Sequence, residues 1–197
     1  LQRVSSYCLP RNLAKKTVEE LAQLKDAGLE ILYVGMESGD DEILRRVNKG
    51  ETWESTRSAL LKIREAGLTS FVMVLNGLGG ENLSRQHAIN TATLCNETQP
   101  DYLSTLVVSF PQGEERFREG FGDDFVPLSQ KGLFEEIRLF LEHLELDKTI
   151  FRSDHASNYL VLKGTLGRDK QKMLDQVNLA ITNPGAAPLR AEWMRGL

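Results

Sequence analysis

Cysteine is scarce in this chain: two among 197 residues, Cys8 and Cys95, far apart in sequence. That excludes a Cys-rich metal knuckle and a disulfide framework, and two thiols point to a reducing, cytoplasmic setting. Long apolar runs are also missing. None approaches the roughly 18 residues that a membrane-crossing helix needs, and no signal-peptide pattern opens the sequence. Charge of one sign is not in surplus either: 24 Lys and Arg stand against 28 Asp and Glu, so no field over the whole surface attracts nucleic acid. A 41% hydrophobic and 26% charged composition supplies both a core and a wetted surface, which excludes disorder.

What the chain does have is a repeat. Lys25-Asp26-Ala27-Gly28-Leu29 returns 39 residues later as Arg64-Glu65-Ala66-Gly67-Leu68. Each copy ends an amphipathic helix and leads into an apolar run. The first helix opens on Thr17 with Glu20 three residues on, a capping box, and carries Val18, Leu21, Leu24 and Ala27 as its stripe. The second begins near Thr52 and carries Leu60, Leu61, Ile63 and Ala66. Gly28 and Gly67 suit the left-handed residue just past a helix end.

The runs Ile31–Val34 and Phe71–Leu75 are short, continuous and apolar, the pattern of strands buried on both faces of a parallel sheet. A third unit follows, with a helix over Ser84–Asn96, Pro100 as breaker and a strand over Tyr102–Val108. With an opening strand at Arg3–Tyr7, four βα-type steps fill about 110 residues. The pattern therefore favours an α/β fold with a parallel sheet flanked by helices over 1–111, then a loop and helices over 112–197. In that second part, 112–128 reads as loop, Ser129–Leu146 and Asp169–Ile181 as helices, and Thr149–Phe151 as a brief strand. The tail beyond Asn183-Pro184-Gly185 is expected to order only against a neighbour.

Parallel α/β sheets carry their sites at the carboxyl ends of the strands. Behind the Ile31 run stands Gly35-Met36-Glu37-Ser38-Gly39; behind the Phe71 run stands Asn76-Gly77-Leu78-Gly79-Gly80-Glu81. The 39-residue offset sets Glu37 opposite Asn76, two polar side chains beside glycines that let a ligand approach the backbone. Glu37 can accept from hydroxyls or an ammonium group, and Asn76 can both donate and accept. The plainer expectation is that Glu37 caps the helix over Asp40–Arg46. His87 and His143 read as semi-exposed helix residues, and Cys95 as an inert core thiol.

With Leu44, Asn48-Lys49-Gly50 and the segment Phe151-Arg152-Ser153-Asp154-His155-Ala156-Ser157-Asn158-Tyr159, these elements resemble the radical S-adenosylmethionine (radical SAM) superfamily, in an Fe–S oxidoreductase-like branch. The resemblance implies a parallel β/α partial TIM-type barrel over 1–111, its side completed by 112–197, and an oxidoreductase or transferase that uses a [4Fe–4S] cluster and S-adenosylmethionine. It assigns Glu37, Ser38, Gly39, Asn76 and Gly77 to cofactor binding, with Arg3 and Ser5 from the first strand. His155 and Asn158 fall at the substrate end, where His155 is the candidate proton relay; the substrate itself, small molecule or macromolecule, stays open. The family's Cys-x3-Cys-x2-Cys loop is absent, so no metal ligands are assigned. The expectation is a carboxyl-terminal piece that lacks the first two βα units, is inactive alone, and forms a homodimer through an exposed sheet edge. The alternative is a complete small-molecule-binding or lyase-type α/β barrel without redox chemistry.

Overall fold

A computed structural model describes residues 3–110, 113–122 and 125–195. Six strands lie side by side in chain order: β1 (Val4–Cys8), β2 (Leu29–Glu37), β3 (Thr69–Asn76), β4 (Tyr102–Val107), β5 (Ile150–Ser153) and β6 (Leu162–Thr165). The first five are parallel, and β6 turns back antiparallel onto β5. The intervening helices are α1 (Pro10–Ala14), α2 (Val18–Asp26), α3 (Asp41–Arg46), α4 (Trp53–Glu65), α5 (Gly80–Thr98), α6 (Glu115–Phe121) and α7 (Gln130–His143), with α8 (Leu166–Thr182) after β6.

The repeated unit folds as its sequence dictates. Thr17 and Glu20 exchange side-chain-to-backbone bonds of 3.2 and 2.8 Å at the start of α2, and Thr52 and Ser55 do the same at the start of α4. Gly28 and Gly67 take φ of 103° and 70°, which end the helices and release the chain into β2 and β3.

The two faces of the sheet differ. Val34, Val72, Leu103 and Phe151 occupy neighbouring strands on the helix-covered face and are wholly buried. On the opposite face Tyr7, Tyr33, Phe71 and Tyr102 form a ladder of rings with centroids 5.0, 4.8 and 5.4 Å apart. That face is open, and Tyr7 at its edge is 75% exposed. A second, smaller core lies beyond the strands' carboxyl ends, where Ile43, Leu78, Phe121 and Phe125 pack with Phe110 and Phe117.

The structure corrects several expectations. The 112–128 stretch is not all loop: α6 forms there, its Phe117 and Phe121 stacked at 4.7 Å within the small core. Neither α1 nor β6 was anticipated, and α5 and α8 start earlier than expected, at Gly80 and Leu166. The tail is held by its own chain, since Arg190 donates to the carbonyls of Asp154, His155 and Asn158, and Arg195 donates to that of Ser157. The division expected at 111/112 falls on residues outside those described. Strands from both sides of it share one sheet.

Candidate functional site

β2 and β3 end in different ways. Strand pairing matches Tyr33 to Phe71 and Gly35 to Met73, an offset of 38; past an irregularity at Gly35–Glu37, Glu37 pairs with Val74. Glu37 therefore does not stand opposite Asn76: the paired offset is 38 along the strand and 37 at Glu37, not 39. At the irregularity Ser38 N–H bonds Met36 C=O at 2.7 Å and Glu37 takes φ of 59°. An i→i+2 bond around a left-handed residue is a strained turn, tolerated here by an L side chain.

That turn lays the Glu37 side chain over Gly35, on the open face of the sheet. A Cβ at Gly35 would come within 2.5 Å of Glu37 Oε1 and 3.2 Å of Lys49 Nζ, so glycine is what makes room for the Glu37–Lys49 ion pair. The pair is 2.7 Å long and both side chains keep about a fifth of their exposure. Glu37 does not cap α3. Asp40 does, accepting from Ile43 N–H at 3.0 Å.

Ser38 and Gly39 point the other way, into the back layer. Ser38 is fully buried; its hydroxyl lies 2.8 Å from His87 Nδ1 and accepts from Asp40 N–H. Gly39 N–H donates to Thr91 Oγ1, and a Cβ at Gly39 would meet Asn90 and Thr91 backbone at 2.6–2.7 Å. His87 is thus not semi-exposed as expected. Its Nε2 lies 3.0 Å from the Leu75 carbonyl, a bond that needs the proton on Nε2 and leaves Nδ1 to accept from Ser38.

Asn76 and Gly77 are also turned inward. Asn76 Nδ2–H and Gly77 N–H both donate to Glu136 Oε1 of α7 at 2.6 Å, while Ser84 of α5 donates to Oε2 at 2.6 Å. Glu136 was missed in the sequence, although it sits on the buried stripe of α7 beside Leu133, Ile137 and Phe140. A carboxylate on an apolar stripe was the available signal.

The remaining candidates divide. Arg3 does not join the site: it precedes β1 and borders a polar groove with Glu30, Asp101 and Lys148 at the strands' amino ends, the opposite end from Glu37. Ser5 pairs with Ile31, two residues before Tyr7 on the open face. His155 follows β5, exposed at the strands' carboxyl ends, and its Nδ1 accepts from Ser157 N–H at 3.1 Å and lies 2.9 Å from Ser157 Oγ. Asn158 is buried and structural. Its amide accepts from Val107 N–H at 2.9 Å and donates to Thr105 C=O at 2.7 Å, continuing the pairing of β4 where β5 has ended.

Neither cysteine offers a thiolate. Burial pushes the Cys8 thiol up to about 11 and that of Cys95 further, and among the described residues no three His, Cys, Asp or Glu side chains are grouped to hold a metal. An iron–sulfur cluster therefore does not fit the residues described.

Residues 4–92, from β1 into α5, match the family model described as Radical SAM superfamily. Over that stretch the chain is similar to the radical SAM superfamily. Solved structures agree in fold. Methanocaldococcus infernus Elp3 is 17% identical with a TM-score of 0.63, over 90% of this chain and 42% of that one. Methylornithine synthase (PylB) is 15% identical with a TM-score of 0.51, over 95% of this chain and 59% of that one. The chain spans less than two thirds of either structure. No curated protein matches it. Among the described residues no helix is long and apolar enough to cross a membrane.

Proposed function

We propose that this chain is the carboxyl-terminal portion of a radical SAM enzyme. In the full-length protein a [4Fe–4S] cluster held by residues outside those described would supply the electron that splits S-adenosylmethionine into methionine and a 5′-deoxyadenosyl radical for substrate oxidation or modification. The observation that carries this reading is the Glu37 turn. It lies within the family match, at a strand's carboxyl end, and spends backbone strain to present a carboxylate on the open sheet face. An ammonium group or ribose hydroxyls of S-adenosylmethionine would bond that carboxylate in competition with Lys49. Ser38, Gly39, Asn76 and Gly77 support the same site from behind, as the residues that fix its two strand ends. His155 is the proton-relay candidate at the substrate end. The chain alone would be inactive, and its two free thiols suit a cytoplasmic setting.

In the full-length protein, Glu37→Ala should weaken S-adenosylmethionine binding by roughly 10- to 150-fold, the worth of a hydrogen bond to a charged group. Calorimetric titration at a temperature well below unfolding measures it; unchanged affinity removes Glu37 from the site. Assembly is a separate proposal. Four of the five residues of β1 are exposed and among the described residues nothing pairs with its outer edge, an arrangement that invites a second copy. Light scattering on dilution should show a dimer, and a monomer at all concentrations refutes it.

A further inference from the structure

Glu136 belongs to neither β2 nor β3, yet among the described residues the donors that reach it come from the last residue of β3, the turn behind it and the helix that follows. It is 4% exposed, and among the described residues no lysine or arginine pairs with it; His87 Nε2, 3.9 Å away, donates its N–H to Leu75 C=O instead. Burying a carboxylate with no counter-ion is costly unless its oxygens are filled by donors. Here they are filled by Asn76 Nδ2, Gly77 N–H and Ser84 Oγ, each at 2.6 Å. A leucine would fill the same stripe position between Leu133 and Phe140 at lower cost, so packing of α7 does not require the charge.

The turn that Glu136 holds has little freedom otherwise. Gly77 takes φ of 89°, and a Cβ there would meet Leu133 Cδ2 at 2.8 Å and Val108 Cγ1 at 3.3 Å. The Gly77 carbonyl accepts from Gly80 N–H at 3.1 Å, so the direction of the Gly77 peptide sets the start of α5. From α5, His87 and Thr91 reach forward to Ser38 and Gly39, next to Glu37. The carboxylate is thus the fixed point of a linked set: β3 end, α5 start, β2 end.

The geometry points to Glu136 as a positioning residue: from behind the sheet it sets the β3–α5 turn, and through that turn the ligand-binding end of the site. This rests on the reading of the site as one for S-adenosylmethionine, and it adds a residue outside the family match, on a helix packed against α5 and the inward side of β3. Charge-assisted bonds to buried backbone N–H groups are the stronger kind, so the effect should reach the ligand.

The test compares Glu136→Ala, Glu136→Gln and wild type in the full-length protein, with two measurements below the unfolding temperature. Amide hydrogen exchange at Gly77 reports the turn without any ligand. Calorimetry with S-adenosylmethionine reports the site. Glu136→Ala should speed Gly77 exchange and weaken affinity, each by about 10-fold or more. Glu136→Gln keeps an acceptor for Asn76 and Gly77 and should recover most of both. Should Glu136→Ala fail to fold, Glu136→Gln and Ser84→Ala still carry the test, with smaller shifts in the same direction. Unchanged Gly77 exchange in the folded variants overturns the positioning role and leaves the ligand reading standing. Faster exchange with unchanged affinity overturns it as well, since the turn then does not govern the site. If wild type binds no S-adenosylmethionine while Gly77 exchange responds to Glu136, the hold on the turn is supported and the proposed ligand is what fails.

Discussion

β2 and β3 follow two copies of one repeat, yet their ends are opposites in structure. At the end of β2 the chain breaks register, takes a left-handed residue and puts Glu37 on the open face, where a soluble cation can reach it. The end of β3 keeps register through Asn76↔Val107 and turns both Asn76 and Gly77 inward onto Glu136. One strand end is built to be met from outside; the other is built to be held from inside. A repeat therefore conserves where a strand ends without conserving the direction its last side chain takes, because one inserted residue flips that direction.

The strongest way to break the contrast is at the residue that ties the two ends together. His87→Ala removes the bonds to Ser38 and to Leu75 C=O and leaves a cavity, and should cost about 3 kcal/mol. For a chain of this size that lowers Tm by about 6–12 °C in calorimetric or circular-dichroism melting. A change under 2 °C would mean the two ends do not depend on the buried histidine.

A smaller effect sharpens the contrast from the open side. Glu37→Gly relieves a left-handed conformation that costs an L residue about 1–2 kcal/mol. It also loses the Lys49 pair, worth no more than about 1 kcal/mol at this exposure. Stability should stay level or rise by up to about 1 kcal/mol, while S-adenosylmethionine binding in the full-length protein falls as it does for Glu37→Ala. A variant that melts several degrees lower would show Glu37 to be a structural residue after all. No substitution at Asn76 should behave this way, because its partner is buried.

Much of this architecture can be read from the residues alone. Capping pairs at Thr17 and Thr52, glycines at 28 and 67 and apolar runs after each are local signals, and β2, β3, α2 and α4 follow from them. What escaped was decided at a distance. α6 has glycines on both sides and lacks a side-chain cap; it is helical because Phe117 and Phe121 pack with Phe110 and Phe125. β6 is a short segment with Gly164 inside it, and it exists because β5 offers an edge. Glu37 was legible as a site candidate but not as a turn, since its positive φ has no glycine to announce it. His87 and Glu136 looked like ordinary helix positions because their partners come from about 50 residues away.

The loop after β5 has a consequence of another kind. Three of its carbonyls, those of Asp154, His155 and Asn158, are gathered by one guanidinium from Arg190, more than thirty residues downstream. In hereditary terms, position 190 is part of that loop. A lineage that lengthens or reshapes the segment around His155 must also change residue 190 or lose the loop's form, and a lineage that replaces Arg190 has edited the mouth of the sheet without touching any residue in it.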